Sequence, residues 1–474
     1  MTQSEPAGDS QIENRTYAEI QVGDSAALVR TLSQWDIELF AVMSGDVNPT
    51  HLDPDFAAQS LFHKVVAHGM WGGALISTVL GTQLPGPGTI YLAQDLRFLR
   101  PVTLGDTLEV RVTVCEKHDD KQTVLLDCLC TNQHGETVIS GHARVKAPSE
   151  KIKWRRAVLP EVRIFEHRRY QELLKGVKDL PAVRTAIVHP CDTAALAGAL
   201  EAAQAGLIVP VLVGPRARIE ALALSEGLDI TGIEIVDAPH SHASAAAAVA
   251  LGRAGQVGAL MKGSLHTDEL IHAVLDRSTG LRTERRLSHV FLFDVPAYPR
   301  PLMITDAAIN IQPSLDDKRD ICQNAIDLAR VIGIRQPKVA ILSAVETVNP
   351  AIPSTLDAAA LCKMAERGQI SGGIVDGPLA FDNAVSLEAA RTKGIVSPVA
   401  GQADILLVPD LEAGNMLAKQ LTFFDGADAA GIVLGAQLPI ILTSRADSAK
   451  TRIASCAAAV LMAYANSGRR EKQA

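Results

Sequence analysis

The stretch "AHGMWGGALISTVLG", Ala67 to Gly81, is small, apolar and helix-length, and it stands directly before two long runs of alternating residues. In "YLAQDLRFLRPVTLGDTLEVRVTVCEK" and "QTVLLDCLCTNQHGETVISGHARVKA", apolar side chains recur at every second position. Turn signals such as Leu104-Gly105-Asp106 and His134-Gly135 interrupt them. The composition predicts a helix buried on all sides and wrapped by an antiparallel sheet, which is an α+β layout.

Downstream the texture changes. From Pro148 to about Lys178 charge and proline dominate, and the segment reads as a linker running into a helix. After Leu180, strands such as "TAIVHP", "IVPVLVGP", "GIEIVDA" and "VGALMKG" alternate with helices such as "DTAALAGALEAAQAG" and "HASAAAAVALGRAG". The theme returns with "KVAILSAVE", "GGIVDGP", "ADILLVPD" and "GIVLGAQLPIILTS". Strands alternating with helices of this length predict parallel, doubly wound sheets. The segment exceeds one typical sheet, so two lobes with a cleft between them are expected.

The totals agree with a packed protein. The chain has 474 residues, enough for about three domains or one small and one large. A formal net charge of −8 argues against a nucleic-acid binder. Cys128 and Cys130 lie two apart in a strand and share a face, a core pattern rather than a zinc site. Met1 to Glu19 is neither a secretory signal nor an Arg-rich transit peptide. No apolar run reaches the ~20 residues of a membrane span. A cytoplasmic location with reduced thiols is the expectation.

Just before the helix, "FAVMSGDVNPTHLDPDF" (Phe40 to Phe56) places Asp46, Asn48 and His51 around Asn48-Pro49. Five positions on one helix would separate Asp46 and His51 by about 140°. Pro49 breaks the helix and lets both side chains turn to one point. An imidazole and a carboxylate are the pair that activates water. Asp-x-Asn-Pro is also a sound turn and helix-capping sequence. Gly69 opens the apolar helix, where a bare N–H meets the positive end of the dipole and suits a thioester enolate. A glycine chosen for close helix–sheet packing is the structural alternative.

The string "SGDVNPTH", followed by "AHGM" leading into the helix, resembles the R-specific enoyl-CoA hydratases of the MaoC-like group, which have hot-dog folds. The resemblance covers roughly residues 15–147. It implies that Asp46 and His51 act on the water added across a 2-enoyl thioester. It also implies that Asn48 supports the loop and that the Gly69 amide holds the thioester carbonyl. His68 reads as a motif neighbour, and Thr50 departs from the family's usual aliphatic residue. Hot-dog domains pair, so a homo-oligomer, dimer or larger, is expected.

In the second half, strand ends carry His189-Pro190, Lys262-Gly263-Ser264, Asp376-Gly377-Pro378 and Ser444-Arg445. Ligands sit at such ends in open α/β sheets. Neither a P-loop string nor a G-x-G-x-x-G after the first strand is present, which removes support for ATP hydrolysis and a standard dinucleotide fold. The strings "MKGSLHTDEL", "MITDAAINIQP", "LLVPDLEAGNMLAKQL" and "ILTSRADS" resemble the phosphate acetyl- and butyryltransferases over about residues 181–465, closer to the butyryl branch. That implies two α/β lobes of isocitrate/isopropylmalate dehydrogenase-like fold, and the reaction acyl-CoA plus phosphate to acyl phosphate plus CoA. Ser444 and Arg445 match the family's pair at the carbonyl. Where acetyl enzymes have an Asp base this chain has Thr451, which leaves Asp447 as a candidate base. Asp306, Asn310, Glu412 and Asn415 are expected to line the cleft, with capping or lobe packing as the alternative. Lys262 is expected at phosphate, or else in a surface ion pair.

The resulting expectation is a bifunctional acyl-CoA enzyme with no bound cofactor or metal, taking coenzyme A thioesters and phosphate as substrates. Its expected organisation is a flexible terminus (1–14), a hot-dog domain (15–147), a linker and connecting helix (148–178), a transferase domain (179–467) and a flexible tail (468–474). The rivals are a transferase whose hot-dog domain only binds CoA esters or dimerises, a nicotinamide-dependent rear domain, and a non-enzymatic scaffold.

Overall fold

The structure, a computed structural model, describes residues 11–160, 162, 168–442 and 448–471, with side chains to 467. The chain divides into two compact units, Met1–Phe165 and Glu166–Ala474.

The first unit runs β1 (Gln11–Glu13), β2 (Ser25–Thr31), α1 (Gln34–Ser44), α2 (Pro49–Leu52), α3 (Pro54–Gln59), α4 (Gly69–Thr82), β3 (Ile90–Phe98), β4 (Thr107–His118), β5 (Thr123–Thr131), β6 (Thr137–Lys146) and β7 (Lys153–Arg155). Five strands form an antiparallel sheet in the order β2-β4-β5-β6-β3. Ile76, Val79 and Leu80 of α4 pack on Val110, Val112, Leu126 and Val145 of the strands. Each such side chain contributes about 1.5–3 kcal/mol by leaving water. Cys128 and Cys130 lie in the same core, fully buried, and burial pushes their thiols up to about 11 and about 12.

The expectation that α4 is buried on all sides is corrected. Trp71, Gly72, Gly73, Ile76, Val79 and Leu80 are buried, whereas Met70, Ala74, Ser77 and Thr78 are exposed. A helix against one sheet face hides only the stripe that touches it. The N-terminal strand β1, in the segment expected to be flexible, pairs with β7 beyond the expected domain end. Buried Asn14 ties the two ends together, donating to the Glu150 carbonyl and accepting from the Ile152 N–H.

The second unit contains α5 (Arg168–Val177), β8 (Val183–Val188), α6 (Thr193–Gln204), β9 (Ile208–Gly214), α7 (Arg216–Glu226), β10 (Glu234–Asp237), α8 (Ser241–Arg253), β11 (Ala259–Lys262) and α9 (Thr267–Leu275). Then come β12 (Ser288–Asp294), β13 (Leu302–Thr305), α10 (Leu315–Val331), β14 (Lys338–Leu342), α11 (Pro353–Glu366), β15 (Ile374–Leu379), α12 (Phe381–Val385) and α13 (Leu387–Thr392). The last are β16 (Ile405–Leu407), α14 (Leu411–Phe424), β17 (Asp428–Leu434), β18 (Ile440–Ile441) and α15 (Ala449–Glu471).

Here too the structure corrects an expectation. The strands join one mixed sheet of eleven, in the order β10-β9-β8-β11-β18-β17-β12-β13-β16-β14-β15. Both flanks are parallel, as their helix-length crossovers require. In the middle β12 pairs antiparallel with both β13 and β17, and β17 pairs antiparallel with β18. The hairpin of β12 and β13, hidden in "SHVFLFDVPAYPRPLMIT", is not part of the alternating pattern. Because of these reversals the two flanks run in opposite directions, and their carboxyl ends face opposite edges of the sheet.

Candidate active sites

In the first unit the local chemistry of residues 44–51 builds the loop. Helix α1 ends on Gly45, whose φ of 74° is the left-handed cap that glycine takes without a Cβ penalty. The Asp46 carboxylate accepts from the Asn48 N–H at 3.2 Å, and the Asn48 side chain accepts from the Thr50 N–H at 3.1 Å. Asn48 thereby caps α2, with Pro49 at its first position. Asn48 is spent on holding the loop.

His51 Nδ1 lies 2.8 Å from the Val66 carbonyl oxygen. A carbonyl only accepts, so the proton sits on Nδ1 and the lone pair is left on Nε2. The mirror arrangement holds at His68, whose Nε2 lies 3.1 Å from the Asp46 carbonyl oxygen. The two rings are 4.0 Å apart between centroids and tilted by 34°. One ligand atom from each of Asp46, His51 and His68 falls within 4.8 Å of the others. These three could hold a metal ion, although His51 Nδ1 and His68 Nε2 are each already committed to a carbonyl oxygen.

Beside them opens a cavity of about 330 Å³ lined by His51, Phe62, His68, Gly69, Phe98 and Arg100, among others. His68 is the N-cap of α4 but makes no side-chain cap bond, so the first-turn amides at Gly69 remain open to a ligand oxygen. A Cβ at Gly69 would sit 3.2 Å from Phe98 Cε1, so the missing side chain also keeps this wall clear. The imidazole and the helix start line this cavity, and the Asp46 side chain lies within 4.8 Å of a ring nitrogen of each histidine. Phe98 and Arg100 lay unnoticed within a strand run; only the return of β3 beside α4 marks them as lining residues.

In the second unit the expected residues separate. Lys262 ends β11, half-buried, its Nζ 3.4 Å from the Gly263 carbonyl. Asp306, Asn310, Glu412 and Asn415 follow β13 and β16, on the flank of opposite direction. Asp306 is 3% exposed and accepts four N–H groups: Ala308 and Ile309 on Oδ1, the His289 amide and Asn310 Nδ2 on Oδ2. Asn310 also donates to the Leu287 carbonyl and accepts from Arg286 Nε at 2.7 Å. Both are buried, and the described contacts leave Asp306 no open lone pair for a ligand. Asn415 Nδ2 donates to the Ala307 carbonyl at 3.2 Å, and a Cβ at Gly414 would meet the Asp306 carbonyl oxygen at 3.0 Å. Helix α14 thus rests on the Thr305–Ala307 turn, with Glu412 in its first turn.

Behind this turn lies His289, 1% exposed, with its Nδ1 buried and unbonded. Burial lowers it to about 4, so it is neutral at pH 7. Ser444, Arg445 and Asp447 lie outside the described residues. Thr451, at the spacing of the family's base, sits in α15 bonded to Ser448.

Comparison with known proteins agrees with this division. Residues 240–460 match the family described as phosphate acetyl/butaryl transferase, and residues 19–129 match the MaoC like domain. The phosphate acetyltransferase of Rhizobium meliloti is 64% identical over 296 residues, 62% of this chain and 93% of that protein. The phosphate butyryltransferase of Clostridium acetobutylicum is 42% identical over 294 residues, 62% of this chain and 98% of that protein. The unliganded R-hydratase of Pseudomonas aeruginosa is 48% identical, covering 33% of this chain and 99% of that one, with a TM-score of 0.32.

The second unit is thus an acyltransferase-type α/β unit behind a MaoC-like hot-dog domain. The chain belongs to the phosphate acetyl/butyryltransferase family. The expected leaning toward the butyryl branch is corrected, since the acetyltransferase relative is the more identical of these two.

Proposed function

We propose that the chain is a bifunctional acyl-CoA enzyme. The first unit hydrates a trans-2-enoyl-CoA to the (R)-3-hydroxyacyl-CoA. The second exchanges CoA for phosphate, giving acyl phosphate. The observation that carries the first reading is the 2.8 Å contact of His51 Nδ1 with the Val66 carbonyl, which sets the tautomer. With its N–H given to the Val66 carbonyl, Nε2 is left as a base at the cavity. Asp46 orients or returns the proton, and the start of α4 at Gly69 takes the charge that develops on the thioester oxygen.

For the transfer, Ser444 and Arg445 polarise the thioester and Lys262 meets phosphate, with Asp447 the candidate base. Support comes from β18, which precedes Ser444 in sequence and runs parallel beside β11, the strand ending in Lys262. The isocitrate/isopropylmalate dehydrogenase-like label and the domain limits at 15–147 and 179–467 belong to this proposal. CoA esters and phosphate are substrates, with no resident cofactor. Among the described residues no helix is long and apolar enough to cross a membrane, which fits the proposed cytoplasmic location. A homo-oligomer is proposed because edge strand β3 exposes Ile90, Tyr91, Leu92 and Phe98.

The test is a thiol-release assay with acetyl-, butyryl- and 3-hydroxybutyryl-CoA, with and without phosphate, beside hydration of crotonyl-CoA followed by loss of enoyl absorbance. Both activities are expected. Release that ignores phosphate would remove the transferase reading, and unchanged crotonyl-CoA would remove the hydratase one.

A further inference from the structure

Four observations meet at His68. It is 3% exposed at the N-cap of α4, yet caps nothing. Its Nε2 N–H crosses to the Asp46 carbonyl, 22 positions away in sequence. Its ring lies against those of His51 and Phe40, at 4.0 and 5.0 Å between centroids. Its Nδ1 is buried without a partner. A buried orphan acceptor is unfavourable, and a phenyl ring would fill the space without that penalty. What an imidazole adds over a phenyl group here is the Nε2–H.

We propose that His68 is a positioning residue of the first unit's site. Its N–H ties the Asp46 main chain to the start of α4, and its face fixes the plane of the His51 ring. This rests on the hydratase reading. With the carbonyl held from behind, the Asp46 carboxylate stays beside His51. With one face of His51 blocked, that ring keeps its N–H on Val66 and its Nε2 at the cavity. His68 lines the cavity, but its Nε2–H is committed to the Asp46 carbonyl and its Nδ1 is buried, so it offers the substrate no polar contact and losing the clamp slows turnover more than it weakens affinity.

The experiment compares full-length wild type, His68→Phe and His68→Gln. Crotonyl-CoA hydration is measured together with hydrogen exchange of peptides spanning residues 40–53. Misplacement of a reacting group by about 1 Å costs up to 100-fold, so His68→Phe is expected to lower kcat by roughly 10- to 100-fold. KM should stay within about threefold, and exchange should quicken in the loop alone. Gln, whose amide can reach the same carbonyl, is expected to recover a substantial part of both. An unchanged kcat, a rise in KM alone, faster exchange throughout the first unit, or failure of Gln to restore anything overturns the proposal and assigns His68 to packing. If wild type itself does not hydrate crotonyl-CoA, the hydratase reading falls, and loop exchange in His68→Phe still decides whether the clamp exists.

Discussion

Asn310 Nδ2 donates to Asp306 Oδ2 at 2.6 Å, completing a ring of four N–H groups around that buried carboxylate. Removing the acceptor strands all four donors. Asp306→Ala is therefore expected to destabilise the second unit by about 3–5 kcal/mol, since each buried donor left unsatisfied costs about 1–3 kcal/mol and part of that is relieved by relaxation. Urea denaturation reads the loss. In the fraction that folds, KM for phosphate should stay within about threefold. A large KM effect with unchanged stability would restore Asp306 to the substrate cleft.

His289 gives the same region a dependence on pH. Its folded pKa is about 4, below the ordinary 6.5, because burial penalises the cation. The unfolded chain binds the proton more readily, so this stability is complete above pH 6.5 and is lost as pH falls toward 4. Between pH 7 and 4.5 the loss is about 2 kcal/mol. Denaturation midpoints across that window should fall less in His289→Phe than in wild type. Parallel curves would mean the histidine does not carry the effect.

At the other site, Asp46→Asn keeps an acceptor for the Asn48 N–H but removes the carboxylate that handles the proton. Crotonyl-CoA hydration should drop by about 10²–10⁴-fold, with phosphate-dependent thiol release unchanged. Equal loss of both activities would point to a global defect.

Gly141 on β6 pairs with Leu96 of β3, and a side chain there would run into the neighbouring Asp95 carbonyl. Gly141→Ala must force these strands apart, at about 1–3 kcal/mol or more. A lower melting temperature of the first unit is expected by scanning calorimetry. Because β3 is the edge strand, size-exclusion chromatography should also report weaker self-association.

The parts of this protein legible from sequence are those fixed by local pattern. The alternation from Val183 to Leu275 follows from short apolar strand runs and helix-length segments, each decided by its own residues. The loop at 44–51 was readable because Pro49 fixes its own φ and Asn48 before it favours a capped turn. The mixed centre of the large sheet was not legible. Direction is set by which strands pair across long sequence separations, as when Ser288 meets Leu434. Nor did spacing reveal that Asp306 is consumed by its neighbours. A carboxylate in a turn looks the same in sequence whether its donors come from a ligand or from a histidine amide 17 residues back. His68 was quoted as part of a motif, and only the fold shows it reaching Asp46.

The order of the large sheet also bears on how the protein is made. Strands β17 and β18 occupy its middle, yet they are the last two strands to leave the ribosome. Until residues 428–441 emerge, the flanks begun by β8 and β13 have no bridge between them and a nascent chain exposes raw strand edges. The hot-dog unit, complete by Arg155, can close long before that. Synthesis should thus yield a finished first unit tethered to a late-maturing second one, and a ribosome stalled before Asp428 should hold the one folded and the other open to protease.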